Sequence, residues 1–249
     1  MSLAAALILF LAGLAVGATS IGGILVVPVM TELAAVPIQA AIAASSCAFL
    51  FTGVAAVGLQ AMTARTARSD APLPIRLYLA ALGGAAIGAL TLAWLPSVMM
   101  RGVIAALALL SGLMTLYGTA PAAPADARAQ PLPAAWTLAM GLAVGCASAW
   151  SGTGGPLVLL PILMLARAPT LASIEMAQGI QLPIAAAATT VNIVNGALNL
   201  QLGLLLGGLL LAGWGIGRKL SRRLPVAVLR RLVACGITTV GLWYGWQLF

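Results

Sequence analysis

Thr19-Ser20-Ile21-Gly22-Gly23-Ile24-Leu25-Val26-Val27-Pro28 follows a Gly13–Gly17 spacing in the first half of this chain. Ser151-Gly152-Thr153-Gly154-Gly155-Pro156-Leu157-Val158-Leu159-Leu160-Pro161 follows Gly141–Gly145 in the second. Each copy sets a Gly/Ser/Thr interruption inside an apolar run. In lipid an interrupted helix is tolerated only where its freed backbone groups face protein or a wet cavity. Matched interruptions in two halves of one sequence therefore mark the binding site expected of a transporter.

Composition places these phrases in a bilayer. Of the 249 residues, 62% are hydrophobic and 6% charged, with a mean hydropathy of +1.12, too little polar surface to cover a soluble domain. An all-α integral membrane protein is expected, multi-pass and in the inner (plasma) membrane. The +8 formal charge would suggest nucleic acid in a soluble chain. Here Arg falls between apolar runs and reads as a topology signal, so no nucleic-acid partner is expected. The N-terminus lacks a basic region and Leu3–Val16 runs straight into the first break, so no cleavable signal is expected. Three scattered cysteines and no histidine support neither a metal site nor a disulfide framework, and no cofactor is implied.

Eight apolar runs are legible: Leu3–Leu33, Ile38–Met62, Ile75–Trp94, Gly102–Gly118, Ala135–Ala166, Leu171–Val194, Leu200–Gly217 and Leu232–Phe249. The first and fifth contain the breaks, and each unbroken run approaches the roughly 20 residues of a spanning helix. A Pro/Ala-rich linker over 119–134 divides a first repeat, 1–118, from a second, 135–249, within one membrane domain. If every run crosses once, eight basic residues face the cytoplasm and Arg65, Arg68, Arg76 and Arg128 do not. If each broken run is a re-entrant hairpin, all but Arg101 lie inside, a far stronger positive-inside bias. The expected fold is two inverted repeats of four helical elements, the first of each broken or re-entrant. Both termini then lie outside, with Trp243, Tyr244 and Trp246 as an outer aromatic belt.

The break has a specific chemistry. A half-helix starting at Gly22–Ile24 or Gly154–Pro156 presents unpaired N–H groups and a positive dipole end, suited to an anion. Pro156 suits a first helical turn, where its missing N–H has no intrahelical acceptor. Thr19, Ser20, Ser151 and Thr153 offer hydroxyl donors, while Gly22, Gly23, Gly152, Gly154 and Gly155 let a ligand approach the backbone. The Gly13–Gly17, Gly84–Gly88, Gly141–Gly145 and Gly213–Gly217 spacings read instead as helix-packing faces.

Thr19–Pro28 followed by Ser45-Ser46, and Gly152–Pro161 followed by Gln178, resemble the doubled glycine-rich signature of the sulfite exporter TauE/SafE family, the 4-toluene sulfonate uptake permeases. The likeness extends over element count, linker position and both copies. It implies a membrane transporter, most simply an exporter, of a small sulfur-containing anion such as sulfite or an organosulfonate. The sulfur preference comes from the resemblance alone. Ser20 and Ile24 stand where glycine is common, and the first copy is one residue shorter between Gly23 and Pro28 than the second between Gly155 and Pro161, which predicts a less open first half-site.

An offset of 132 aligns Ser46, with its neighbour Ser45, to Gln178. Gln178 and Gln181 share a helix face, and buried amides in lipid need partners, either another helix or a ligand. Asn192 reads as a helix-to-helix bond. Trp150, just before the second break, either gates the cavity or fills space beside it. Glu175 is a proton-relay candidate as an intramembrane carboxylate, although Arg167 nearby offers an ion pair; Glu32 is a weaker one. The partners expected are a small anionic substrate and the bilayer, with a homo-oligomer left open. With no nucleophile–base pair and no phosphate loop, the chain is not expected to be an enzyme. The alternative is a membrane assembly or scaffold protein without transport.

Overall fold

The computed structural model describes residues 2–66, 75–117, 133–165, 170–221 and 226–248. Every regular element among them is helical: α1 Leu3–Thr19, a 3-10 turn Gly22–Leu25, α2 Val26–Ala34, α3 Ile38–Thr66, α4 Ile75–Thr91, a 3-10 turn Leu92–Trp94 and α5 Ser97–Tyr117. Then come α6 Ala134–Ser151, α7 Pro156–Leu165, α8 Thr170–Gly179, α9 Gln181–Val194, α10 Leu200–Leu220 and α11 Val226–Trp246. Among the described residues, five helical segments are long and apolar enough to cross a membrane: Ile38–Met62, Ile75–Trp94, Ser97–Tyr117, Ala134–Ser151 and Leu200–Leu220. The expected linker lies outside the described residues as far as 132.

Both broken runs are broken where the sequence predicts. α1 stops at Ser20 and α6 at Gly152, each cap in the left-handed region, with φ of 65° and 63°. The second limb starts cleanly at Pro156, whose fixed φ suits a helix start. The first passes through the 3-10 turn and becomes α-helical only at Val26. A Cβ at Gly22 would meet Ala12 O and Ala15 Cβ, so the chain folds back onto α1 after the break.

Glycine faces hold the core helices at backbone distance. Gly13 and Gly17 of α1 lie against the carbonyls of Leu210 and Trp214 on α10, while Gly213 and Gly217 lie against Phe10 and Leu14. The other crossing repeats this: Gly145 lies against Ala81 on α4, and Gly84 and Gly88 against Leu142 and Cys146 on α6. Phe10 to Leu142 and Leu14 to Cys146 are both steps of 132. The structural mate of Gly13 is thus Gly145, in line with the offset of 132. Each half's first helix crosses the other half's third; α3 packs on α10 as α9 packs on α4, and α5 on α11. Van der Waals contact at small residues is what drives such association in lipid.

Three expectations are corrected. The sixth run is two helices, parted at Ile180, because Pro183 has no N–H for the Gly179 carbonyl and its ring crowds it. The fourth helix begins at Ser97, ahead of the apolar run, since Arg101 is bonded rather than left in solvent: its Nη1 donates to Gln247 Oε1 at 2.7 Å. Tyr244 is no belt residue. It is fully buried, hydrogen-bonded to Thr31 and under the Arg101 guanidinium, whereas Trp243 and Trp246, three apart on one face, are exposed together with Trp94.

Candidate functional site

The two breaks meet in the interior. A Cβ on Gly23 would stand 3.1 Å from the Thr153 carbonyl oxygen and 2.7 Å from Phe49 Cζ; one on Gly154 would stand 2.9 Å from Phe49 Cγ. The Phe49 ring, 1% exposed, therefore lies between the glycines of the two halves. Only residues without a side chain leave it that space. Gly154 and Gly155 have φ of 78° and 108°, backbone that L side chains rarely adopt.

Polar partners cross between the halves. Ser45 on α3 donates to the Gly152 carbonyl at 2.6 Å. Reciprocally, Gln178 on α8 donates through Nε2 to Ser20 Oγ at 2.7 Å. Arg218, at the basic end of α10, donates to Gln178 Oε1 at 3.4 Å. Gln181 donates to the Phe49 carbonyl at 3.1 Å and to Thr52 Oγ1 at 2.6 Å. Phe49 and Gln181 are themselves 132 apart, the same step that separates Ser46 from Gln178.

The remaining predicted residues are placed as follows. Thr19 Oγ1 donates to Ala15 O and receives the Ile21 N–H; Ser46 donates to Ile42 O in its own helix. Ser151 donates to Ala147 O and shares a 2.9 Å hydrogen bond with Thr153. All four are buried. The Trp150 indole N–H donates to Thr91 at 3.0 Å, fastening α6 to α4 beside the break. Asn192 is buried at the end of α9, where its carbonyl caps Ala197 and Leu198. Glu175 lies on α8 with its side chain outside the described residues, and Arg167 falls outside the described residues altogether. Glu32 is exposed and accepts from Gln247 at 3.4 Å.

The amides complete the chemistry. Among the described residues, the N–H groups of Gly22, Gly23, Gly154 and Gly155 donate to no loop, cap or side-chain acceptor. The first N–H groups of a helix have no intrahelical acceptor, and buried backbone donors are normally paired. Two such sets meeting inside the protein can hold an anion. Sequence reasoning passed over Phe49, Thr52, Ser148 and Arg218. Arg218 was counted only as a loop charge. Ser148 carried a readable signal, since the register of 132 gives Val16 as its mate.

A helical bundle with two interrupted segments meeting in its interior, ringed by polar side chains, has the architecture of a membrane transporter. The model of the sulfite exporter TauE/SafE family matches residues 4–244, and the chain belongs to that family of membrane transporters. No curated protein and no solved structure matches it.

Proposed function

We propose that the protein is a secondary transporter, working as an exporter, for a small sulfur-containing anion, sulfite or an organosulfonate. The anion is held near the bilayer midplane by the leading amides of the two breaks. The observation that carries this reading is the meeting of the breaks around Phe49 with four glycine amides that, among the described residues, donate to no loop, cap or side-chain acceptor. Family membership supplies the sulfur chemistry. The binding set is Thr19, Ser20, Gly22, Gly23, Ser45, Ser46, Ser151, Gly152, Thr153, Gly154, Gly155, Gln178 and Gln181, with Phe49 as the apolar group that a bound anion displaces. Export accords with the membrane potential, which favours an anion leaving a negative cytoplasm by about 2.3 kcal/mol per charge per 100 mV.

The architecture that serves this function is a pair of inverted repeats, 1–118 and 135–249, joined by the linker in one inner-membrane domain. The reciprocal glycine crossings support the repeat. Parity supports the hairpins. Were every run to cross once, five crossings would put Arg101 and Gln247 on opposite faces; with a re-entrant second break there are four, and the two residues can bond as they do. In this orientation Trp94, Trp243 and Trp246 form the outer belt and Tyr117 and Trp136 the inner one. Glu175 is the residue to carry a coupled proton.

Vesicles containing the purified protein test the reading. Sulfite, sulfoacetate, taurine and sulfate are loaded and their movement followed with and without a pH gradient. Sulfite or a sulfonate should move well above empty vesicles; movement of none of them overturns the proposal. A scaffold would leave the matched breaks and their free amides without a purpose.

A further inference from the structure

The hydroxyls around the breaks differ in one respect. Thr19, Ser45, Ser46 and Ser151 all donate to backbone carbonyls, Ser20 receives the Gln178 amide, and Thr153 is tied to Ser151. Ser148 Oγ, by contrast, is buried without a hydrogen-bond partner, in a residue 2% exposed. Its place is fixed. Its own carbonyl accepts from the N–H groups of Gly152 and Thr153 and from Ser151 Oγ, so α6 ends around it. The orphaned oxygen lies beside the start of α7: a Cβ on Gly155 would stand 3.9 Å from it.

α7 is ten residues long. Its leading amides at Gly154 and Gly155 lack loop, cap and side-chain acceptors, and Pro156 has no N–H. A buried hydroxyl left unsatisfied is destabilising, and one beside a helix N-terminus is placed to share an oxyanion with its amides. The first half has nothing equivalent, because the register of 132 puts the buried Val16 there. Its own polar group, Ser20, is already held by Gln178 and, through it, by Arg218.

Resting on the transport reading above, we infer that Ser148 is a substrate-binding residue. Its hydroxyl donates to one oxygen of the bound oxyanion while the α7 amides take others, so that the second break is the recognition end of the site and the first its fastened counterpart. The class of ligand is a small oxyanion with at least two acceptor oxygens on one atom, a description that sulfite and sulfonates meet.

Ser148→Ala tests this, because its two effects have opposite signs. Removing an unsatisfied buried hydroxyl should leave the ligand-free protein at least as heat-stable as wild type in detergent. Losing a donor to a charged ligand should raise the half-saturation concentration for sulfite in vesicles about tenfold and shrink sulfite's stabilisation of the detergent-solubilised protein. Sulfite half-saturation and stabilisation within twofold of wild type would overturn the inference alone. Wild-type vesicles that move no sulfite, sulfonate or sulfate would overturn the transport reading and this inference with it.

Discussion

At the scale of single residues, Ser20 shows a local penalty held in place by a tertiary bond. Its φ of 65° is a left-handed conformation that strains a non-glycine residue by about 1–2 kcal/mol, yet its hydroxyl receives the buried Gln178 amide. Ser20→Gly releases the strain and loses the bond, so stability should stay within about 1 kcal/mol of wild type. Both variants deprive the Gln178 amide of this acceptor, but Ser20→Ala also keeps the strain, so it should be less stable than the glycine variant by about 1 kcal/mol or more. Thermal unfolding in detergent ranks the two; an alanine variant as stable as the glycine variant would contradict the account. The sequence marked Ser20 as the odd member of its motif, since glycine is the residue that a left-handed cap favours. It could not show that Gln178, 158 positions away, is the compensating partner.

Among elements, the decisive contacts are those of glycine faces. Gly145→Leu drives a Cβ to 2.1 Å from the Ala81 carbonyl oxygen and must prise α6 from α4. The expected result is loss of monodisperse protein on size-exclusion after extraction. Gly208→Ala is the control, on the same kind of helix but with open space around it; it should extract normally and gain up to about 1 kcal/mol from helix propensity. That small-xxx-small spacings pack helices was legible in the sequence, because only small residues let backbones approach in lipid. Which helix faces which was not. A spacing fixes a face, whereas the partner depends on how both halves interlock.

For the whole molecule, the hairpin topology proposed above makes a prediction about sidedness. With Cys47, Cys146 and Cys235 replaced by Ala, single cysteines introduced as Arg65→Cys and Arg222→Cys should both react with an impermeant maleimide from the cytoplasmic face. Reaction from opposite faces would reject two re-entrant breaks. The sequence by itself determined that the chain is helical and membrane-embedded, where its two breaks fall and that they form a pair, because hydrophobic run length and helix-terminating Gly, Ser and Pro are local properties. It also carried the family. Tertiary structure alone decided that Phe49 lies between the breaks, that Tyr244 turns inward to Thr31 and Arg101, and that Ser148 rather than its neighbours keeps a free hydroxyl. Each of those facts depends on which groups from distant parts of the chain are near enough to take up a hydrogen bond or a volume, and no spacing along one strand of sequence encodes that.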